Sequence, residues 1–193
     1  STEIIRRATA IFAPEPFAMH EAEELIAHDR LADLLESIVA RFKVGTADAD
    51  VQLWDVAATK QVRVMDGHEA RVSSMSWNGP VLTTGSKDES IINHDVRIEN
   101  HNISTWSGHT QEVCGLKWSP DGTQLASGGN GNLLNIWDIN QGGTPRYTLD
   151  HHTAAVKAMA WCPWQQNLLA TGGGTADRHI RFWNTATGAC TNA

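Results

Sequence analysis

Three sets of histidine, hydroxyl and carboxylate residues recur along this chain of 193 residues. His68 is followed by Thr84 and Asp88, His109 by Ser127, and His152 by Thr171 and Asp177. An imidazole, a hydroxyl and a carboxylate are the parts of a hydrolase relay, so nucleophilic catalysis is the first chemistry to weigh. It fails on number and on context. The sets repeat at regular intervals, whereas acyl transfer needs one placed nucleophile and one oxyanion site. No G-x-S-x-G elbow or phosphate loop is present, and Gly172-Gly173-Gly174, read as lying between strands, lacks a P-loop lysine. His151-His152 reads as one repeat histidine beside an exposed neighbour rather than as a metal pair. No catalytic residue, metal or cofactor is expected.

The elements that carry these residues follow from the same periodicity. Trp77, Trp118 and Trp161 are 41 and 43 residues apart, and each lies nine residues after His68, His109 or His152. A second series ends later strands: Trp54-Asp55, His94-Asp95, Trp137-Asp138 and Trp183-Asn184. Val113 to Trp118 and Leu133 to Trp137 are short apolar-rich runs bounded by turn residues, which predicts strands. In Ser119-Pro120-Asp121-Gly122 the proline presets φ and the glycine accepts positive φ, which predicts a turn. Several series sharing one period of about 40–45 residues match the WD repeat, four strands to a propeller blade. The fold expected is all-β: an incomplete WD-repeat β-propeller of about three and a half blades.

Resemblance to WD repeats implies that each set forms a buried hydrogen-bonded chain of histidine, hydroxyl, aspartate and tryptophan. The chains are His68, Thr84 and Asp88, with His94 in the tryptophan position; His109, Ser127 and Trp137, with Gly131 replacing the aspartate; and His152, Thr171, Asp177 and Trp183.

Longer strings are more specific. HTQEVCGLKWSPDG (His109 to Gly122), LASGGNGN (Leu125 to Asn132), AVKAMAWCPWQQNLLATGGGTADRHIRFWN (Ala155 to Asn184) and NHDVR (Asn93 to Arg97) resemble the Fizzy family, WD-repeat activators of the anaphase-promoting complex. CPWQ and HDVR resemble its mitotic branch. The resemblance runs from about Val44 to Ala193: the end of one blade, two whole blades and most of a fourth. It implies a seven-bladed relative whose later blades, Ile-Arg tail and C-box docking motif are not in this sequence.

The resemblance also implies a surface that reads degradation signals. Lys-Glu-Asn motifs would dock on loops holding Asn130, Gly131 and Asn132, and on the loop of Thr175. Amides and a hydroxyl can meet a lysine and a carboxylate without burying an unpaired charge. The plainer reading makes Asn130 and Asn132 turn residues. A further groove, near Gln61 to Met65 and Ser73 to Trp77, would accept another short motif. The implied function is a non-catalytic adaptor that brings degron-bearing substrates or checkpoint proteins to the anaphase-promoting complex. The alternative is a WD scaffold that has lost degron binding, a truncated or rearranged product.

Residues 1–43 do not resemble the family and are set apart as a helical segment, with 44–193 the partial propeller. Leu31, Leu34, Leu35, Ile38, Val39 and Phe42 form one apolar stripe, which predicts an amphipathic helix from Glu21 to Phe42. It reads as a cap over a blade edge, a partner-binding helix or unrelated sequence. Exposed blade edges predict self-association. A formal net charge of −7 disfavours nucleic acid, and no run nears the roughly 18 apolar residues of a membrane span. The start lacks the apolar core of a secretory signal. Three cysteines are too few for a disulfide framework, and Cys114 and Cys162 lie in apolar runs that predict burial. A reducing address, nucleus and cytoplasm, is expected.

Overall fold

The computed structural model describes residues 41–55 and 58–192. They form fifteen strands and, among the described residues, no helix. Strands β1 (Arg41–Gly45), β2 (Val51–Asp55) and β3 (Lys60–Met65) make a three-stranded sheet. Strands β4 (Val72–Asn78), β5 (Val81–Ser86), β6 (Ser90–Asp95) and β7 (Asn102–Ser107) make the first four-stranded meander. Strands β8 (Val113–Trp118), β9 (Gln124–Gly129), β10 (Leu134–Asp138) and β11 (Tyr147–Leu149) make the second. Strands β12 (Val156–Trp161), β13 (Leu168–Gly173), β14 (Ile180–Asn184) and β15 (Ala189–Asn192) make the third.

Some expectations need adjusting. Arg41 and Phe42 belong to β1 and not to a helix, and RFKVG alternates charged and apolar residues with the period of a strand. The rest of the expected helix lies outside the described residues. The last blade carries all four strands, because Ala189–Asn192 pairs with β14. Gly172 and Gly173 are in β13, where their backbone groups continue the ladder to β12 and β14. Cys114 and Cys162 are half-buried, short of the burial expected of them.

The sheets pack through their first strands. Each of these carries a bulge at its second residue: Val72/Ser74, Val113/Gly115 and Val156/Ala158. A bulge turns one extra side chain out of the ladder. Ser73 and Ser74 use theirs to donate to the Val113 carbonyl at 2.8 and 2.7 Å, and Cys114 Sγ approaches the Val156 carbonyl at 3.5 Å. Glycine in the second strand makes room for this approach. A Cβ on Gly85 would lie 2.6 Å from Val113 Cγ1, and one on Gly128 would fall on the Val156 carbonyl oxygen.

Between the sheets lie two apolar cores. Ile91, Trp106, Val113, Leu116, Trp118, Leu125 and Trp137 fill the first, with Trp106 stacked on Trp137 at 5.4 Å. Ala126, Leu134, Ile136, Leu149, Leu169 and Trp183 fill the second. Leu134 and Ile136 are fully buried, whereas Ile180 and Phe182, which hold the same places in the last sheet, are 63% and 39% exposed. That outer face is built like a blade-packing surface.

The predicted turn is present: Gly122 has φ 68° and donates to the Ser119 carbonyl at 2.9 Å.

Candidate functional site

The three predicted chains assemble, and hydrogen-bond chemistry fixes their direction. An indole N–H can only donate. Trp183 Nε1 donates to Thr171 Oγ1 at 2.7 Å, so the hydroxyl proton is free to go to His152 Nε2, 2.8 Å away. His152 therefore carries its proton on Nδ1 and donates it to Asp177 Oδ2 at 2.5 Å. Asp177 also accepts from the Thr153 backbone and hydroxyl. These donors, His152 first, outweigh burial and hold the Asp177 carboxyl at about 2.

His68, Thr84 and Asp88 repeat the pattern: Nε2 to Thr84 Oγ1 at 2.7 Å and Nδ1 to Asp88 Oδ2 at 2.9 Å. Burial opposes ionisation of Asp88, but the hydroxyl and N–H of Ser90, the Glu69 N–H and His68 together hold it at about 2. His94 takes the tryptophan role, with Nε2 3.1 Å from Thr84 Oγ1. Its other nitrogen meets His101 Nδ1 at 2.9 Å, and His101 reaches Asp66 at 3.5 Å. A tryptophan could not extend the chain in this way, having one polar atom. His151 is exposed and packs edge-on to Trp183.

The middle chain is shorter. Trp137 Nε1 donates to Ser127 Oγ at 2.7 Å, and Ser127 meets His109 Nε2 at 2.7 Å. With Gly131 in the aspartate position, His109 pairs with no carboxylate among the described residues. Burial alone pushes its pKa down to about 4. The unfolded chain takes up this proton below about 6.5 and the folded chain only near 4, so stability is lost as pH falls through that interval. The expected loss is on the order of 2–3 kcal/mol, read by urea unfolding at pH 7 and pH 4. His68, also lowered chiefly by burial, adds to the same window. Gly131→Asp should shrink it by raising the His109 pKa, followed by NMR of its ring proton. A Cβ there meets the rotatable Thr110 hydroxyl at 3.3 Å and the Gln111 side chain at an ordinary 3.7 Å.

These histidines begin the strands at one end of the sheets, and the loops at that end hold the predicted surface residues. Asn130 is tied to Glu112 twice: its N–H to the Glu112 carbonyl at 2.9 Å and its Nδ2 to the carboxylate at 3.1 Å. Glu112 in turn receives both arms of Arg71 from the preceding sheet, at 2.9 and 2.7 Å. The Arg71 bonds, foremost among the causes, hold the Glu112 carboxyl below its usual range. Asn132 has φ 66° and donates its N–H to the Gly129 carbonyl, so its backbone makes the turn that the plainer reading expected. Thr175 is exposed in the next sheet's corresponding loop, where its carbonyl accepts from Arg178 Nε at 3.0 Å. Asn130 and Asn132 share one turn, and no hydrogen bond joins them to Thr175.

The groups offered at this loop end are the Asn130 amide oxygen, whose nitrogen is engaged by Glu112, the hydroxyl of the exposed Thr175 and the Arg71 guanidinium. Arg71 and Glu112 escaped the sequence reading because they lie 41 residues apart on different sheets. One cue was available, since both stand three residues after a repeat histidine.

Residues 37–193 match the family model described as the CDC20/Fizzy WD40 domain. The chain belongs to the CDC20/Fizzy family. It is 64% identical over 151 residues to the "Anaphase-promoting complex subunit cdc20" of Dictyostelium discoideum, covering 77% of this chain and 30% of that protein. It is 56% identical over 149 residues to the "WD repeat-containing protein slp1" of Schizosaccharomyces pombe, with the same two shares. In Arabidopsis thaliana, identity is 56% to "Cell division cycle 20.1, cofactor of APC complex" and 51% to "Protein FIZZY-RELATED 3". A chain in a crystal structure of the mitotic checkpoint complex superposes with TM-score 0.77 at 54% identity, covering 79% of this chain and 47% of that one. The chain spans about a third of the length of the curated relatives it matches. The CDC20/Fizzy match starts at residue 37, ahead of the Val44 start read from the motifs.

Proposed function

We propose that this chain is part of a non-catalytic substrate-recognition adaptor of the anaphase-promoting complex. Its three full sheets would hold degron peptides at the loop end that carries the repeat histidines. The observation that carries this reading is the Arg71–Glu112–Asn130 chain, in a family whose members bear the name of that complex. Glu112 fixes the Asn130 amide nitrogen, so its oxygen faces a ligand. A Lys-Glu-Asn peptide supplies an ammonium or amide donor for that oxygen and a carboxylate for Arg71, with Asn132 and the Thr175 hydroxyl as further partners. Both charged groups of the peptide then exchange water for a hydrogen-bonding partner.

The mechanism is recruitment: a held substrate has a high effective concentration at the ligase, and no bond chemistry falls to this chain. The repeated His–hydroxyl–Asp sets are consumed in buried chains, which supports a non-enzymatic role. Partners are the anaphase-promoting complex and degron-bearing or checkpoint proteins, and the site of action is nucleus and cytoplasm. No cofactor, metal, nucleic acid or membrane enters the reading. The exposed Ile180 and Phe182 face suits a further blade, or self-association of this stretch taken alone. Residues 1–36, ahead of the family match, would be a separate segment.

Fluorescence anisotropy of a labelled Lys-Glu-Asn peptide tests the reading. Saturable binding that a scrambled peptide lacks, weakened about tenfold or more by Asn130→Ala, is expected. Equal signals from both peptides would leave the decayed scaffold, a reading to which Gly131 and the turn role of Asn132 already lean.

A further inference from the structure

At the opposite end of the sheets, a cavity of about 310 Å³ opens between the β8–β9 turn and the β12–β13 connection. Asp121 and Gln124 line one side, Trp161, Pro163 and Trp164 the other. Trp164 is 85% exposed, which is unusual for the largest apolar side chain.

Beside the side-chain amides of Gln165, Gln166 and Asn167, this cavity presents two unengaged acceptors. Gln124 is buried and its amide nitrogen donates to Asn167 Oδ1 at 2.7 Å, but its Oε1 has no partner. One Asp121 oxygen, Oδ1, takes Ser119 Oγ and both donors of Thr123, which leaves Oδ2 open. The same bonds hold its carboxyl low, so the group is ionised at neutral pH. Trp161 spends its only donor on the Lys117 carbonyl at 2.9 Å. No basic side chain lines the cavity.

An open carboxylate oxygen, a buried unpaired amide oxygen and an exposed indole face together match a planar cation. A guanidinium offers five donors in one plane and stacks on an indole, whereas a neutral side chain leaves the carboxylate unanswered. We propose that this cavity is a second docking site, which takes an arginine side chain from an extended segment of a partner protein. It is distinct from the loop end that carries Asn130, and it can succeed or fail independently of that site.

The test uses the chain labelled with ¹⁵N and an acetylated, amidated peptide of sequence Ala-Pro-Arg-Pro-Ala. A peptide with citrulline in place of arginine, identical in shape but neutral, is the control. Saturable shifts of the Trp164 and Trp161 indole signals are expected with the arginine peptide. Citrulline, Asp121→Asn or Trp164→Ala should each weaken binding about tenfold or more. Asn retains the Oδ1 acceptor that closes the turn, and Trp164 is exposed enough for its removal to spare the fold. Equal response to the citrulline peptide, shifts elsewhere only, or undiminished binding by both variants would overturn the proposal.

Discussion

Gly128→Ala is expected to cost about 3 kcal/mol or more, while the same change at Gly172 should cost less than about 1 kcal/mol. The two glycines hold the same place, fifth in the second strand of their sheets. A methyl on Gly128 would occupy the position of the Val156 carbonyl oxygen, and both atoms belong to backbone that is locked in ladders on either side. Relief would require the two sheets to separate, which opens the core around Leu134, Ile136 and Trp183. A methyl on Gly172 meets only the Ala158 methyl, at an ordinary 3.4 Å. Neither glycine has positive φ, so backbone strain does not enter. Urea unfolding followed by tryptophan fluorescence reads the difference. Equal effects at the two positions would show that the contact between sheets does not set the glycine requirement.

Asp177→Ala is the second large effect, about 3–4 kcal/mol at neutral pH. The substitution strands the His152 Nδ1 proton and both donors of Thr153, in a place where Asp177 is 4% exposed and His152 3%. The whole buried chain back to Trp183 then loses its terminal acceptor. The dependence on pH has a definite sign. The folded carboxyl sits at about 2 against an ordinary aspartate value of 3.8, so its contribution is present above about pH 4 and disappears as pH falls towards 2. Wild type and variant should therefore converge across that interval, below the window assigned to His109. A gap between them that stays constant from pH 5 to pH 2 would contradict the ionised Asp177–His152 pair.

Much of this was legible in the sequence because repetition turns weak local signals into strong ones. One tryptophan nine residues after one histidine means little; three such pairs at one period define blades, and every member predicted for the buried chains is found in them. His94 shows why the substitution for tryptophan works: its Nε2 makes the same bond to Thr84, and its spare nitrogen continues to His101. What stayed hidden depends on pairs of sheets. The bulges at Ser73 and Cys114, the fit of Gly128 to Val156 and the Arg71–Glu112 pair each join residues about 30–45 positions apart, with no local pattern to announce them. Arg41 and Phe42 read as helix in the sequence because Phe42 continues the apolar stripe of the preceding residues in helical register. Only the alternation of RFKVG, five residues long, marks the change of period. At the loop end, asparagine is both a turn former and a ligand-binding amide. Sequence could not divide those roles, whereas geometry gives the turn to Asn132 and the held amide to Asn130.

On the function proposed, the loop end of these sheets reads a degron through Asn130 and its Arg71–Glu112 support. The most direct measurement is a ¹⁵N–¹H map of the chain titrated with a Lys-Glu-Asn peptide, following backbone, asparagine side-chain and arginine Nε signals. Saturating shifts are expected at Asn130 Nδ2, Arg71 Nε and the Thr175 amide, with the Asp121–Trp164 end unchanged. Saturating shifts confined to other surfaces, or none beyond those of a scrambled peptide, would contradict it.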